Sequence, residues 1–560
     1  MLIGNTPITA YTLVYPQNAL EGEVNAVATM VDLVQKATGY TMPAVTDDTP
    51  KMPYEIVVGV TNRDTLRVAE ARERIQNDGY AMVMEGDSLF ITGTTPRGGV
   101  YGVYTFLEDY VGVRFYADTY TVCRQDKMAD VPADLCRVYS PAFMSRDVYW
   151  YHVLSPRKTG QLTYPYALKV NRGTMPDLGG GVSYAGQFVH TFSLLAEMPH
   201  EIGLQPCLTD ENVFQTVRKN VRLWLDEHPT ASIISVSQND SYAHQMGCQC
   251  ENCKAIDDRE GTPMGSLLTF VNRIADDIRE DYPHVYVDTL AYRYTRKAPK
   301  TIKPADNVII RLCSIECCFC HPLDDPGCPH NTAFVQDIEE WSAICNNLYI
   351  WDYTTDFLCY LGPFPNLAVL RSNVKFFKDH HVIGVFEQGN RHAPSGEFGE
   401  LRGYLLAKLL WEPDMTEETY QALIDEFLEA YYGKGWRYVR QYIEVTSKKA
   451  AERHLHIYDV PNKVFPFAED EHEAEMAFAE ELLGLWNAAL AMADTDEHHA
   501  HVLQSSIQAL YYAEFVLPSE RFEALNTLML DAIRASGITR YRETADIPAF
   551  DDPNAYPDLR

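Results

Sequence analysis

Asn239 and Asp240 close the apolar run "SIISVSQND", and Cys248, Cys250 and Cys253 follow it closely. A carboxylate can give or take a proton, and an amide can orient an acetamido or hydroxyl group. The C-x-C-x-x-C spacing offers rival chemistry. It could supply thiolates to zinc, with His244 or one of Cys313, Cys317, Cys318, Cys320 and Cys328 as a fourth ligand. Two paired knuckles of the usual spacing are absent, and neighbours such as Cys317 and Cys318 read as general thiol richness. The expectation is therefore that the thiols are bystanders or a structural clip, with no metal and no cofactor in the chemistry.

Comparable residues stand at the ends of other apolar runs: Asp147 and Trp150, Asn171 and Arg172, His190, Tyr292 and Arg293, Glu316, Trp351, Asp352 and Tyr353, and Glu387. Carboxylates, amides and aromatics in such a set have the composition of a sugar site. Ring C–H faces pack on aromatics, while hydroxyls bond to carboxylates and amides. Glycoside cleavage needs an acid for the leaving oxygen and a second group that steadies an oxocarbenium-like centre. Structural alternatives exist for several of these residues. Asn239 and Asp240 also suit an Asx turn leaving a strand, and His190 suits a packed, hydrogen-bonded ring. Arg172, Arg293 and Arg391 could bind an acidic sugar or balance the carboxylates.

The elements that must position these residues are legible as patterns. Residues 1–135 alternate strand-like and amphipathic helical stretches, a small α+β domain. Over 140–435, short apolar runs alternate with amphipathic helices, the pattern of a parallel sheet. Eight such runs predict an α/β fold with a closed (β/α)8 TIM barrel, whose active residues come from the C-terminal strand ends. Its early connections lack clear helices. Residues 436–560 read as a helical C-terminal region. Just before it Thr416 caps a helix that Gly433 ends, and the last ~20 residues read as a loosely held tail.

Composition narrows the partners. The net charge of −31 argues against nucleic acid and against an anionic membrane surface. A neutral or weakly charged oligosaccharide fits better. No apolar run approaches a membrane span, and the opening "MLIGNTPITAYTLVYPQN" lacks the features of a secretory signal. Thirteen cysteines in a core-rich chain point to reduced thiols and a cytoplasmic setting.

Seven stretches carry a family resemblance: "SRDVYWYHVLSPRKTG", "SVSQND" with "CQCENC", "LAYRYTRKAP", "NVIIRLCSIE", "WDYTTDFLCYLGPFPN", "VFEQGN" and "LLAKLLWEPDM". Together they span about 140–435, and the chain resembles glycoside hydrolase family 163, first catalogued as a bacterial domain of unknown function. The segment "RGGVYGVYTFLEDYVGVRFY" looks like the small domain that precedes the barrel in β-hexosaminidase-like and α-glucuronidase-like enzymes. The resemblance implies a barrel that cleaves β-N-acetylglucosaminide linkages, including the chitobiose core of N-glycans. It also implies substrate assistance, in which the acetamido oxygen of the sugar attacks the anomeric carbon. On that reading Asp240 is the general acid/base and Asn239 orients the acetamido group. Tyr292, Trp351 and Asp352 hold the ring. The chain departs from the Asp–Glu pair usual in hexosaminidases, so Glu316 or Glu387 is the alternative proton donor, with Asp240 in support. Two other readings are an exo-glycosidase for a uronic acid and a non-catalytic carbohydrate-binding barrel.

Overall fold

The computed structural model describes residues 1–243, 245–460 and 463–547. His244, one of the expected fourth thiol partners, lies outside the described residues.

The N-terminal part is a six-stranded mixed sheet. Its central strands Thr12–Tyr15, Glu55–Val58 and Ser88–Gly93 pair in parallel, and Tyr80–Glu85 returns antiparallel as a hairpin with Ser88–Gly93. The helix Glu21–Thr38 packs Met30, Leu33 and Val34 inward and stops at Gly39, whose φ of 78° is the left-handed C-cap that glycine adopts without strain. This sheet is joined to the central part through buried charges. Arg146 lies over the rings of Tyr101 and Trp411 and reaches Asp78, while Glu108 bonds Lys169 and Lys408. Burial opposes the charge of Glu108, but the two lysines outweigh it and hold its carboxyl at about 2.

The central sheet has seven parallel strands. In sheet order they are Ser145–Tyr149, Val382–Gln388, Leu348–Tyr353, Val308–Cys313, Tyr286–Ala291, Ile233–Ser235 and Tyr184–Ala185. Helices such as Glu211–Glu227, Met264–Ile278, Pro329–Ser342 and Leu370–Asp379 connect them, as the apolar runs and amphipathic patterns predict. The observed sheet is a curled half-barrel rather than eight assigned strands. Between its two edge strands, the Asn171 N–H donates to Arg146 O at 3.2 Å and the Val182 N–H to Asn171 O at 2.9 Å.

Alternation along these strands decides which side chains face the inside of the curl. Tyr349, Trp351 and Tyr353 point inward, so Leu348, Ile350 and Asp352 point to the surrounding helices. Phe386 and Gln388 point inward, so Glu387 points outward. Asp352 and Glu387 are register partners on adjacent strands and share that outer face. The inner layers run from apolar to ionic. Ile233, Ile309 and Tyr349 fill the base, and above them the buried ion pair of Arg311 and Asp288 closes at 2.8 Å. Arg172 and Asp147 pair beside it at 2.5 Å. Phe188 covers both guanidinium groups, 4.0 Å from that of Arg172 and 5.0 Å from that of Arg311.

Residues 417–536 are mostly helical. Thr416 accepts a bond from the Thr419 N–H at 3.2 Å and caps Glu417–Tyr432. The expected loose tail differs in its described part. Residues 540–546 form a small hairpin, and the Glu543 N–H donates to Phe357 O at 3.3 Å, so this segment lies against the strand ends. Residues 548–560 lie outside the described residues. Among the described residues, no helix is long and apolar enough to cross a membrane.

Candidate active site

A cavity of about 250 Å³ opens at the C-terminal ends of the parallel strands. Its polar wall is His190, Asp240, Tyr292, Gln388, Tyr458 and Glu543, and Trp351, Tyr353, Leu290, Cys313 and Ile315 complete it. A larger cavity of about 540 Å³ lies elsewhere, between Glu108, Arg114, Arg124, Lys408 and Glu426. Much of its charge is paired across the wall, Arg114 with Glu426 and Lys408 with Glu108, and these pairs join the N-terminal part to the helices.

Asp240 follows the strand Ile233–Ser235. Its Oδ1 accepts the Tyr292 hydroxyl at 3.2 Å and the Ser241 N–H at 2.8 Å. Tyr292 is itself fixed by Gln238, whose Nε2 donates to Tyr292 O at 3.2 Å. His190 sits beside Tyr292 with φ 55° and Nδ1 2.9 Å from Gln238 O. A carbonyl only accepts, so Nδ1 carries a proton and donates it to Gln238 O. Trp351 and Tyr353 stack at 6.0 Å and 22° and present a flat apolar platform. The Trp351 indole N–H donates to Gln388 Oε1 at 2.7 Å, and Gln388 Nε2 in turn reaches Glu543 Oε1 at 3.3 Å.

Glu543 is a residue that strand-end reasoning missed. Burial raises its carboxyl above the usual range and the nearby Asp240 charge adds to this, against Arg391 and Arg540. Tyr458, from the segment after the helix Trp436–Ala450, was missed for the same reason: both come from far down the chain. No periodicity points to either. For Glu543 the signal was the cluster of polar and aromatic residues in the segment assigned to the tail.

Several expected residues lie elsewhere. Asn239 is buried with its side chain committed to backbone. Its Oδ1 accepts the Ser193 N–H and its Nδ2 donates to Leu204 O, both at 2.8 Å. It holds the loop before Asp240 and does not line the cavity. Glu316 pairs with Arg296 at 2.8 Å and Arg293 at 3.7 Å, outside the cavity wall. Glu387 is fully buried on the outer face of the sheet, and neither carboxylate oxygen has a hydrogen-bond partner. Burial pushes it well above the carboxylate range, and the Asp352 charge adds to that. Asp352, bonded by Ser314 Oγ at 2.5 Å, is pushed up by the same burial to about 6.

Trp150 is fully buried and donates to Thr354 Oγ1 at 2.9 Å. Its indole packs on Gly389, where an added Cβ would come within 2.1 Å of the ring. Asn171 bonds Asp78 and the backbone of Met144 and Arg146, which makes it a joint between the two sheets. Asp147 and Arg172 form the ionic layer beneath Phe188. The structure thus brings His190, Asp240, Tyr292, Trp351 and Tyr353 to one cavity, with Arg293 behind Tyr292.

The fold is similar to that of a family GH115 4-O-methyl-α-glucuronidase with specificity for decorated arabinogalactans. The match has a TM-score of 0.61 and 11% identity, and covers 95% of this chain and 77% of that one. A GH138 enzyme targeting pectin rhamnogalacturonan II matches with a TM-score of 0.46, 10% identity and coverage of 94% and 91%. A Flavobacterium johnsoniae chitobiase matches at 0.44, with 10% identity and coverage of 94% and 96%. At such identities the likeness is one of fold. No curated protein sequence matches the chain. One family model does, over residues 115–444 and therefore over more than half of the chain, and the protein belongs to that family, described as a domain of unknown function, DUF4838.

Proposed function

We propose that this protein is a glycoside hydrolase that cleaves β-N-acetylglucosaminide linkages in N-glycan or chitobiose-type oligosaccharides. The observation that carries the reading is one pair of carboxyl groups, Asp240 and Glu543, on the wall of an aromatic cavity at parallel strand ends. The fold-level likeness to glycoside hydrolases and the resemblance of the strand-end motifs support it. We also read the curled sheet as a closed (β/α)8 barrel in which 171–173 supplies the missing strand. On that count Asp240 follows the fourth strand.

The two carboxyl groups divide the work by environment. Glu543, whose carboxyl burial raises above its ordinary value, gives its proton to the glycosidic oxygen as the C–O bond breaks. The acetamido oxygen of the substrate forms the new bond to the anomeric carbon. Asp240, held by Tyr292, balances the positive charge that this places on the acetamido group. Water then attacks the anomeric carbon, its proton returns to Glu543, and the acetamido group is restored with net retention. Trp351 and Tyr353 carry the apolar face of the ring, and His190 and Gln388 bond its hydroxyls. Asn239 cannot orient the acetamido group from its observed position, so that role passes to Asp240 and Tyr292.

No lysine or arginine lines the cavity among the described residues. This favours a neutral sugar over a uronic acid, whose carboxylate would need a cation. The thirteen cysteines, none in a disulfide, suit a reducing compartment, and we place the enzyme in the cytoplasm acting on imported oligosaccharides. The test is a panel of aryl glycosides. Turnover of the β-N-acetylglucosaminide, with inhibition by a thiazoline mimic, supports the reading. Turnover of a uronide alone contradicts the sugar assignment, and tight binding without turnover contradicts the enzyme.

A further inference from the structure

Two groups of thiol and imidazole side chains outside the cavity have the geometry of metal sites. In the first, Cys248 and Cys250 precede the helix Glu251–Glu260, Cys253 sits in its first turn, and Cys207 comes from the loop before Glu211–Glu227. Their four sulfurs all lie within 4.8 Å of one another. Cys207 Sγ is 3.6 Å from Cys250 Sγ and 3.9 Å from Cys253 Sγ. These separations are far from the ~2.05 Å of a disulfide. A tetrahedral zinc ion with bonds of about 2.3 Å spaces its sulfurs by about 3.8 Å, and the two Cys207 separations bracket that value.

The second group is Cys318, His321, Cys328 and His454, again with all ligand atoms within 4.8 Å. Cys318 Sγ lies 3.2 Å from His321 Nδ1, and Cys328 Sγ lies 3.5 Å from His454 Nδ1. The far nitrogen of His321, Nε2, is 3.0 Å from Ala451 O. That carbonyl only accepts, so the proton sits on Nε2 and the Nδ1 lone pair faces the cluster, the usual outer support of a metal-bound imidazole. Cys320 borders this group, with Sγ 3.5 Å from Cys318 Sγ and 3.6 Å from His321 Nδ1, and it also donates to Ala450 O and Arg453 O.

We propose that each cluster binds one structural zinc ion, through Cys207, Cys248, Cys250 and Cys253 in one and Cys318, His321, Cys328 and His454 in the other. Binding releases the thiol protons to solvent, and thiolate-rich tetrahedral sets select zinc over hard cations. Each ion would clip a loop that frames the cavity. Near the first, the Gly203 N–H bonds Asp240 O at 2.7 Å, and Gln205 bonds both the N–H and the C=O of Asn239. Fixing Cys207 therefore fixes the backbone that aims Asp240. The second ties the loop after Val308–Cys313 to the segment that carries Tyr458. The Phe319 N–H bonds Leu455 O at 2.8 Å, and His456 Nδ1 bonds Cys317 O at 3.0 Å. Long irregular loops of this kind need such fastening to hold one conformation. The sites differ from the sequence expectation because Cys207 stands apart from the C-x-C-x-x-C run, and the His454 ligand comes from the C-terminal region.

The test is elemental analysis of the full chain, purified without a histidine tag. Two zinc ions per chain are expected. The pair C207S/C253S should lose one ion, and C328S/H454Q should lose the other. Should a variant fail to fold, a mercurial thiol reagent added to the wild-type chain should release two zinc ions to a chromogenic chelator. Cobalt(II) exchange should also give the tetrahedral and thiolate bands of both sites. A wild-type chain that neither carries zinc nor retains it after incubation and gel filtration overturns the proposal, as do iron in place of zinc or disulfides within the clusters. A count of one that only one variant pair lowers overturns the other site.

Discussion

The replacement Asp352→Asn separates a carboxylate that does chemistry from one that is merely buried. Asp352 lies on the outer face of the sheet with its register partner Glu387, and burial raises its pKa from 3.8 to about 6. The sign is the reverse of a paired carboxylate. The unfolded chain ionises above pH 3.8 while the folded chain keeps its proton until about 6, so the folded state loses ground as pH rises through that window. The loss is about 2 kcal/mol at pH 5 and about 3 kcal/mol at pH 8, at 1.36 kcal/mol per unit. An asparagine of the same shape can still accept the Ser314 bond and carries no such cost. Urea denaturation at the two pH values should show the variant more stable than wild type, with the larger gain at pH 8. Turnover per folded molecule should stay within a few-fold. A gain that does not change with pH, or a hundredfold loss of turnover in a fully folded variant, would refute the outward placement of this pair.

Three further outcomes follow from single contacts. His152 lies 3.0 Å from Asp118 and 2.9 Å from Glu400. Burial works against its charge, but the carboxylates outweigh it and push it up to about 10. The stability it contributes is full below pH 6.5 and is lost as pH rises toward 10, by at most about 5 kcal/mol. Thermal midpoints of wild type and His152→Gln should therefore converge between those values. Tyr292→Phe removes the hydroxyl that holds Asp240 and should lower kcat by about 10- to 100-fold, as one hydrogen bond to a charged group is worth about 1.5–3 kcal/mol, with the folded state intact by circular dichroism. Trp150→Phe should cost stability of about 1–2 kcal/mol through the lost Thr354 bond and the space left beside Gly389, with KM unchanged.

The strands and helices of the central region were legible because period-2 and period-3.6 patterns are local properties of the chain. The aromatic and carboxylate cluster was legible for the same reason: it stands at strand ends. What failed was parity. Asp352 lies between Trp351 and Tyr353, and Glu387 lies between Phe386 and Gln388. In each triplet the middle residue must face the helices if its neighbours face the cavity. Applied to every strand end, that rule would have separated the outward pair from the inward wall. Asn239 failed for another reason. The turn that brings Asp240 inward hands Asn239 to the loop backbone of Ser193 and Leu204, contacts more than thirty residues away in the chain. Glu543 and Tyr458 depend on how the C-terminal helices return to the sheet, which no local pattern encodes.

In the proposed mechanism Asp240 and Glu543 together break a β-N-acetylglucosaminide bond. Initial rates on aryl β-N-acetylglucosaminides of graded leaving-group acidity test it most directly, with wild type, Asp240→Asn and Glu543→Gln compared as folded proteins. Asp240→Asn should lose about 10²–10⁴ in kcat on every substrate. Glu543→Gln should lose as much on poor leaving groups and far less on the most acidic one, which departs without a proton. Near-wild-type turnover by Asp240→Asn, or a Glu543→Gln loss that ignores the leaving group, would contradict it.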